Sequence, residues 1–261
     1  MFKTIGVYLV LSCLFLNQAF AQERPLVVGM ELQYPPFEMS ETDGTPSGVS
    51  VDFAKALAKH LGRELKIENI AWDGLIPSLK TNKVDLIISS MTITDERQKT
   101  VDFSIPYAQS NLAILTNPSS GVKEIQDLNQ KGKKIAVKKG TTGHLYATKY
   151  LQNAQLLVFD KENAAVIEVI QKKADGFLYD QLTIYKNWTK HKDTTIALLK
   201  PFQEHPEYWG VAIKKGNDGL KHQVDAFIRQ AKSDGTFDQF SKKYLTEARA
   251  TFDELGIPFF F

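Results

Sequence analysis

Short runs rich in β-branched and apolar residues alternate with helical patterns along this chain, and that alternation limits its fold more than any other feature. The runs fall at 26–30, 65–70, 84–89, 135–137, 156–159 and 176–179. Between the first two, Ala54, Leu57, Ala58 and Leu61 recur at i, i+3, i+4 and i+7, and Gly62 follows as a plausible C-cap. Residues 162–173 and 217–232 read as helices in the same way. Strand–helix alternation of this kind predicts an α/β architecture with mostly parallel sheets. From Gly132 to Thr142 the pattern of strand, glycine turn and helix begins again, so a second unit is expected there. Two stretches, 113–120 and 208–213, read as extended connections between the units. The last residues, Gly256 to Phe261, are unusually apolar and are expected to pack onto one unit or to meet a partner.

Residues 1–21 carry one charge, Lys3, then an apolar run over 5–16, and end in Ala19-Phe20-Ala21. This is the pattern of a signal peptide, with cleavage expected after Ala21. The run is short for a membrane span, and no stop-transfer pattern follows it. Cys13 loosely fits a lipid-acceptor site, but it sits in the middle of the apolar run, so a lipoprotein is the lesser reading. Cys13 is also the only cysteine, and an exported chain cleaved after Ala21 has no thiol, no disulfide and no thiolate metal site. Roughly 240 residues bury an adequate core without disulfides. Removing Lys3 from the 32 basic residues leaves 31 against 30 acidic ones. Such a balance, with both signs interspersed, gives no footprint for nucleic acid or for an anionic membrane.

The stretch from Ile87 through Ser89, Ser90, Met91, Thr92 and Thr94 to Arg97 carries the most chemistry. A buried strand ends in hydroxyl residues, and a helix with an acidic first turn starts near Thr94. Backbone N–H groups and hydroxyls at such a junction suit a carboxylate, and Arg97 can add a two-pronged clamp. Around it stand Tyr34-Pro35-Pro36-Phe37-Glu38, Trp72-Asp73-Gly74-Leu75, Val101-Asp102-Phe103-Ser104, Gly140-Thr141-Thr142-Gly143 and Ala174-Asp175-Gly176-Phe177-Leu178-Tyr179-Asp180.

In this order and spacing the chain resembles the polar amino-acid receptors of bacterial ABC importers, over nearly all of residues 25–247. The resemblance implies a two-lobed periplasmic-binding-protein-like fold of type II, with the ligand in a cleft between α/β lobes joined by two crossover strands. Lobe 1 is expected at 25–113 with a return over 212–250, lobe 2 at 114–211, and an apolar tail at 251–261. Arg97 matches the family clamp on the ligand α-carboxylate, with Ser90, Met91 and Thr92 beside it. Thr142, next to Thr141, matches a second carboxylate contact, and Asp180 matches the partner of the α-ammonium. Tyr34 and Trp72 match the aromatic pair that sandwiches the ligand side chain. Glu31 and Lys138 match positions that read its far end. If both face the ligand, an amide such as that of glutamine fits; if Lys138 turns to solvent, a basic amino acid fits. Gly143 departs from the larger polar residue of several relatives.

The implied partners are a free amino acid and the membrane permease of an importer, for a monomer in the periplasm, with no metal or cofactor. Two other classes stay open. A dehydratase-type enzyme on the same fold could use His144 as general acid with Glu31. A ligand sensor or adhesin could use the fold for recognition alone. His60, His144, His191, His205 and His222 show no metal spacing, and no nucleophile elbow or phosphate loop is present.

Overall fold

The computed structural model describes residues 24–261, so the expected signal peptide and Cys13 lie outside the described residues. Two five-stranded sheets share one plan. In the first, Leu65–Asn69, Leu26–Met30 and Leu86–Ile87 run parallel, and Ala212–Lys214 enters antiparallel between Leu86–Ile87 and Val101–Phe103. In the second, Gln155–Phe159, Lys134–Lys138 and Gly176–Asp180 run parallel. Leu112–Thr116 enters antiparallel between Gly176–Asp180 and Ile196–Leu198. A small three-stranded sheet over Gln33–Tyr34, Glu38–Ser40 and Pro46–Ser47 tops the first unit.

The expected helices form where periodicity put them. Val49–His60 buries Val51, Phe53, Ala54, Leu57 and Ala58 on one face. It ends at Gly62, whose φ of 66° suits a residue without a Cβ. Glu162–Ile170 and Asp218–Ser233 bury Val166 and Val169, and Val224, Phe227 and Ile228. Each sheet has its own apolar clusters, so each unit holds itself together by burial of its own side chains.

One expectation fails. The stretch 113–120 is not a connection: Leu112–Thr116 is an inner strand of the second sheet, buried at every position. An apolar run buried on both faces has no alternation to mark it, so it looks like an extended link in sequence. The chain instead crosses at Ala108–Ser110 and returns at Glu207–Trp209, and these two strands pair antiparallel as a ribbon between the units. The sheets are accordingly mixed, each with one antiparallel strand among four that share a direction.

The tail packs onto the first unit. Helix Thr246–Leu255 leads into Phe260, 4% exposed, whose ring lies 4.9 Å from Phe37, 5.4 Å from Trp209 and 5.4 Å from Phe252. Gln109 in the first crossover strand donates its backbone N–H to the Phe260 carbonyl and its amide to the Phe259 carbonyl. Among the described residues, no helix is long and apolar enough to cross a membrane.

Candidate functional site

The cleft lies at the carboxyl ends of the parallel strands of both sheets, where open α/β sheets present their loops to ligands. From the first unit come Glu31 just beyond Leu26–Met30, Tyr34, Trp72, and Ser89, Ser90 and Thr92 beyond Leu86–Ile87. From the second come Thr141, Thr142, Tyr179 and Asp180. Met91 departs from expectation. Its side chain is 1% exposed and packs with Leu75, Leu79 and Val84 in an apolar cluster of the first unit.

Arg97 is held from both sides of the cleft. Thr94 caps its helix, accepting the Arg97 backbone N–H at 3.2 Å. The guanidinium donates through Nη1 to the Thr92 carbonyl at 2.7 Å and through Nη2 to the Gly140 carbonyl, on the other unit, at 3.0 Å. Its centre lies 5.3 Å from the Trp72 ring. Burial lowers its pKa to about 10, with Glu207 and Tyr179 opposing the shift, so it stays a cation at neutral pH. Two donors pinned to carbonyls fix the plane of the group and leave its remaining N–H groups for further acceptors.

Asp180 faces it from the second unit. The residue caps helix Gln181–Lys190 by accepting the Thr183 N–H on Oδ1 at 3.0 Å. Its Oδ2 is buried with no hydrogen-bond partner, while the Tyr34 hydroxyl partly supports the charge of the carboxylate. Burial pushes the Asp180 carboxyl upward. A buried acceptor left without a donor costs about 1–3 kcal/mol. An ammonium bound there would recover that cost.

Lys138 does not line the cleft as an open charge. Its ammonium pairs with Glu31 across the gap, and the two side chains are only 6% and 9% exposed. Glu31 also accepts the Trp72 backbone N–H at 3.3 Å. The pair cancels within itself, and both expected readers of the ligand side chain are therefore engaged with each other. Lys139 and Asp73 add an exposed bridge at 3.1 Å between the same two units. With the Arg97–Gly140 contact, these links close the cleft.

Gly143 has a local cause. A Cβ there would lie 2.4 Å from the Leu178 carbonyl oxygen, so the helix that starts at Thr142 packs too tightly on its neighbouring strand for any side chain. His144 accepts the Gly140 N–H on Nδ1 at 3.0 Å and closes the turn that presents the Gly140 carbonyl to Arg97.

Several cleft residues were not singled out from sequence. Glu38 stands behind the hydroxyl shelf, accepting from Ser50 at 2.6 Å, Ser90 at 3.0 Å and Ser89 at 3.3 Å. Ser90 reaches it from a left-handed backbone, φ 49°, a conformation that costs about 1–2 kcal/mol outside glycine. Ser110, Leu112, Glu207 and Trp209 come from the crossover ribbon and its edges, and Tyr179 from the strand that ends in Asp180. The motif ending in Glu38 was visible, but its serines are far apart in sequence.

A family model described as bacterial extracellular solute-binding proteins, family 3, matches residues 26–247. The L-cystine-binding protein TcyJ of Escherichia coli (strain K12) is 34% identical over 221 residues, which covers 84% of this chain and 82% of that protein. A binding component of an ABC transporter from Wolinella succinogenes, solved in complex with lysine, superposes with a TM-score of 0.78. It shares 35% identity and covers 86% of this chain and 97% of its own. An ancestral amino acid-binding protein, AncCDT-1, described as a precursor of cyclohexadienyl dehydratase, superposes with a TM-score of 0.76. It shares 35% identity and covers 85% of this chain and 95% of its own. With its two mixed sheets, crossover ribbon and intervening cleft, the chain has the type II periplasmic-receptor fold and belongs to the bacterial extracellular solute-binding proteins of family 3.

Proposed function

We propose that this protein binds a free polar amino acid between its lobes outside the cytoplasm and presents the closed form to the permease of an ABC importer. The observation that carries the reading is the facing of opposite charges across one cleft: a buried guanidinium on one lobe and a buried, half-partnered carboxylate on the other. A zwitterion satisfies both, and only when the lobes meet. Burying either of its charges unpaired would cost several kcal/mol. In this reading Arg97, Ser90, Thr92, Thr141 and Thr142 receive the α-carboxylate, Asp180 receives the α-ammonium, and Tyr34 and Trp72 flank the side chain. The relatives named for cystine and lysine support the class of ligand.

For the side chain, the internal Glu31–Lys138 pair favours a neutral polar group, with an amide such as glutamine the best fit. The lysine-bound relative and the aromatic walls favour a basic amino acid as the second reading, which requires that pair to open. His144 bonded to the Gly140 turn and Glu31 paired with Lys138 favour a binding protein over a dehydratase. The protein acts as a monomer in the periplasm, released by cleavage after Ala21, and needs no cofactor or metal ion.

The test is a thermal-shift screen of residues 22–261, unfolded and refolded to strip bound ligand, against the twenty amino acids and cystine. A ligand at a hundredfold its Kd adds about 2.7 kcal/mol of stability. A shift by one or a few polar amino acids, lost in Asp180→Ala, supports the reading. No shift by any of them removes it.

A further inference from the structure

Glu207 opens the second crossover strand, facing Ser110 of the first, and no role was assigned to it from sequence. Its carboxylate reaches into the cleft at the place just given to the ligand. Oε2 accepts the Thr92 hydroxyl at 3.2 Å, and Oε1 accepts the Gln203 amide at 2.9 Å. The Thr142 hydroxyl and the Arg97 charge also support it. Thr92, Thr142 and Arg97 are the groups assigned above to the α-carboxylate of an amino acid. They come from the first unit and the second, and Gln203 adds a tie to the second, because its own amide oxygen accepts the Leu112 N–H at 3.0 Å.

We propose that Glu207 is a built-in competitor of the ligand carboxylate: it takes the Thr92 hydroxyl within reach of the Arg97 charge, ties the two lobes together, and must be displaced or neutralised when an amino acid binds. The inference rests on the amino-acid reading for its second half only, since the bridging of the two lobes by Glu207 stands on its own contacts. Two carboxylates cannot share one set of donors without strong repulsion in a buried cleft. A cation at this place would be drawn to Glu207 instead, so the sign of the effect separates a competitor from a ligand contact. Burial pushes the Glu207 carboxyl upward while Gln203, Thr142, Thr92 and Arg97 oppose the shift.

The test uses residues 22–261 as the natural chain, as Glu207→Gln, which keeps the shape and removes the charge, and as Glu207→Ala. Small-angle X-ray scattering without ligand reads closure, and calorimetry with each of the twenty amino acids reads affinity. The expected results are a larger radius of gyration for Glu207→Ala, and binding of the responding amino acid tightened by about tenfold or more in Glu207→Gln. Identical scattering of all three proteins, or unchanged or weaker binding in Glu207→Gln, overturns the proposal. Binding of no amino acid by any variant sinks the amino-acid reading, and the scattering comparison then decides the bridging role alone.

Discussion

Glu38 offers the sharpest test of how this cleft is built. It is 1% exposed and surrounded by three serine hydroxyls, and burial pushes its carboxyl up from 4.5 to about 8, with nearby Glu31 adding to the shift and the serines opposing it. The folded protein therefore keeps this proton up to about pH 8, whereas the unfolded chain releases it near 4.5. Between those values the native state holds more protons than the unfolded one, so the contribution is fully present below about pH 4.5 and is lost as pH rises through 8. Each pH unit in that window costs about 1.4 kcal/mol for one proton, or about 3 kcal/mol from pH 5 to 7. For a chain of this size that is a fall in Tm of roughly 5–10 °C. Replacing Glu38 by Gln keeps the volume and removes the titration. Ligand-free melting curves of both proteins at pH 5, 6, 7 and 8 should nearly coincide at pH 5 and separate above it, with the variant the more stable. Asp180 and Glu207 are also pushed upward by burial, but they act in both proteins and cancel in the difference. Parallel curves would show that Glu38 is already ionised in the fold, held by its serines, and would refute the reasoning.

Arg97→Lys should weaken amino-acid binding by at least about tenfold in calorimetry, because one ammonium cannot hold both the Thr92 and the Gly140 carbonyls and still offer a planar fork. Lys138→Met leaves the Glu31 carboxylate buried without its cation, so the ligand-free Tm should fall by an amount equivalent to about 3 kcal/mol or more. The same variant should gain affinity for lysine or arginine, and a titration with both amino acids checks it. Phe260→Ala removes a buried ring wedged among Phe37, Trp209 and Phe252 and should cost about 3–5 kcal/mol in urea unfolding. Its ligand affinity should fall as well, because Phe37 and Trp209 both back the ring of Tyr34 in the cleft wall.

Some of this was legible in local sequence. Apolar spacing over Val49–His60 and Asp218–Ser233 marked helices because one face of each repeats every three to four residues. Thr94 before Asp95 and Glu96 marked a helix start for the same local reason, since a side chain two or three residues away can satisfy a free N–H. The candidate residues Arg97, Asp180, Tyr34 and Trp72 were readable because each sits in a short motif at a strand end. By contrast, the inner strand Leu112–Thr116 looked like a linker, as burial on both faces removes the alternation that identifies a strand.

Sequence by itself thus determined the periodic elements, the absence of any cysteine after residue 21 and the motifs that bring charged and aromatic groups to the ends of strands. Only the tertiary structure decided which charges answer one another. Lys138 meets Glu31 across 107 positions, and Thr92 meets Glu207 across 115, so no window along the chain contains either pair. Whether an ionisable group is open to a ligand, engaged by a neighbour or driven to hold its proton depends on burial and on partners brought in from distant segments. Those are properties of the packed cleft, where the low dielectric makes each pairing decisive.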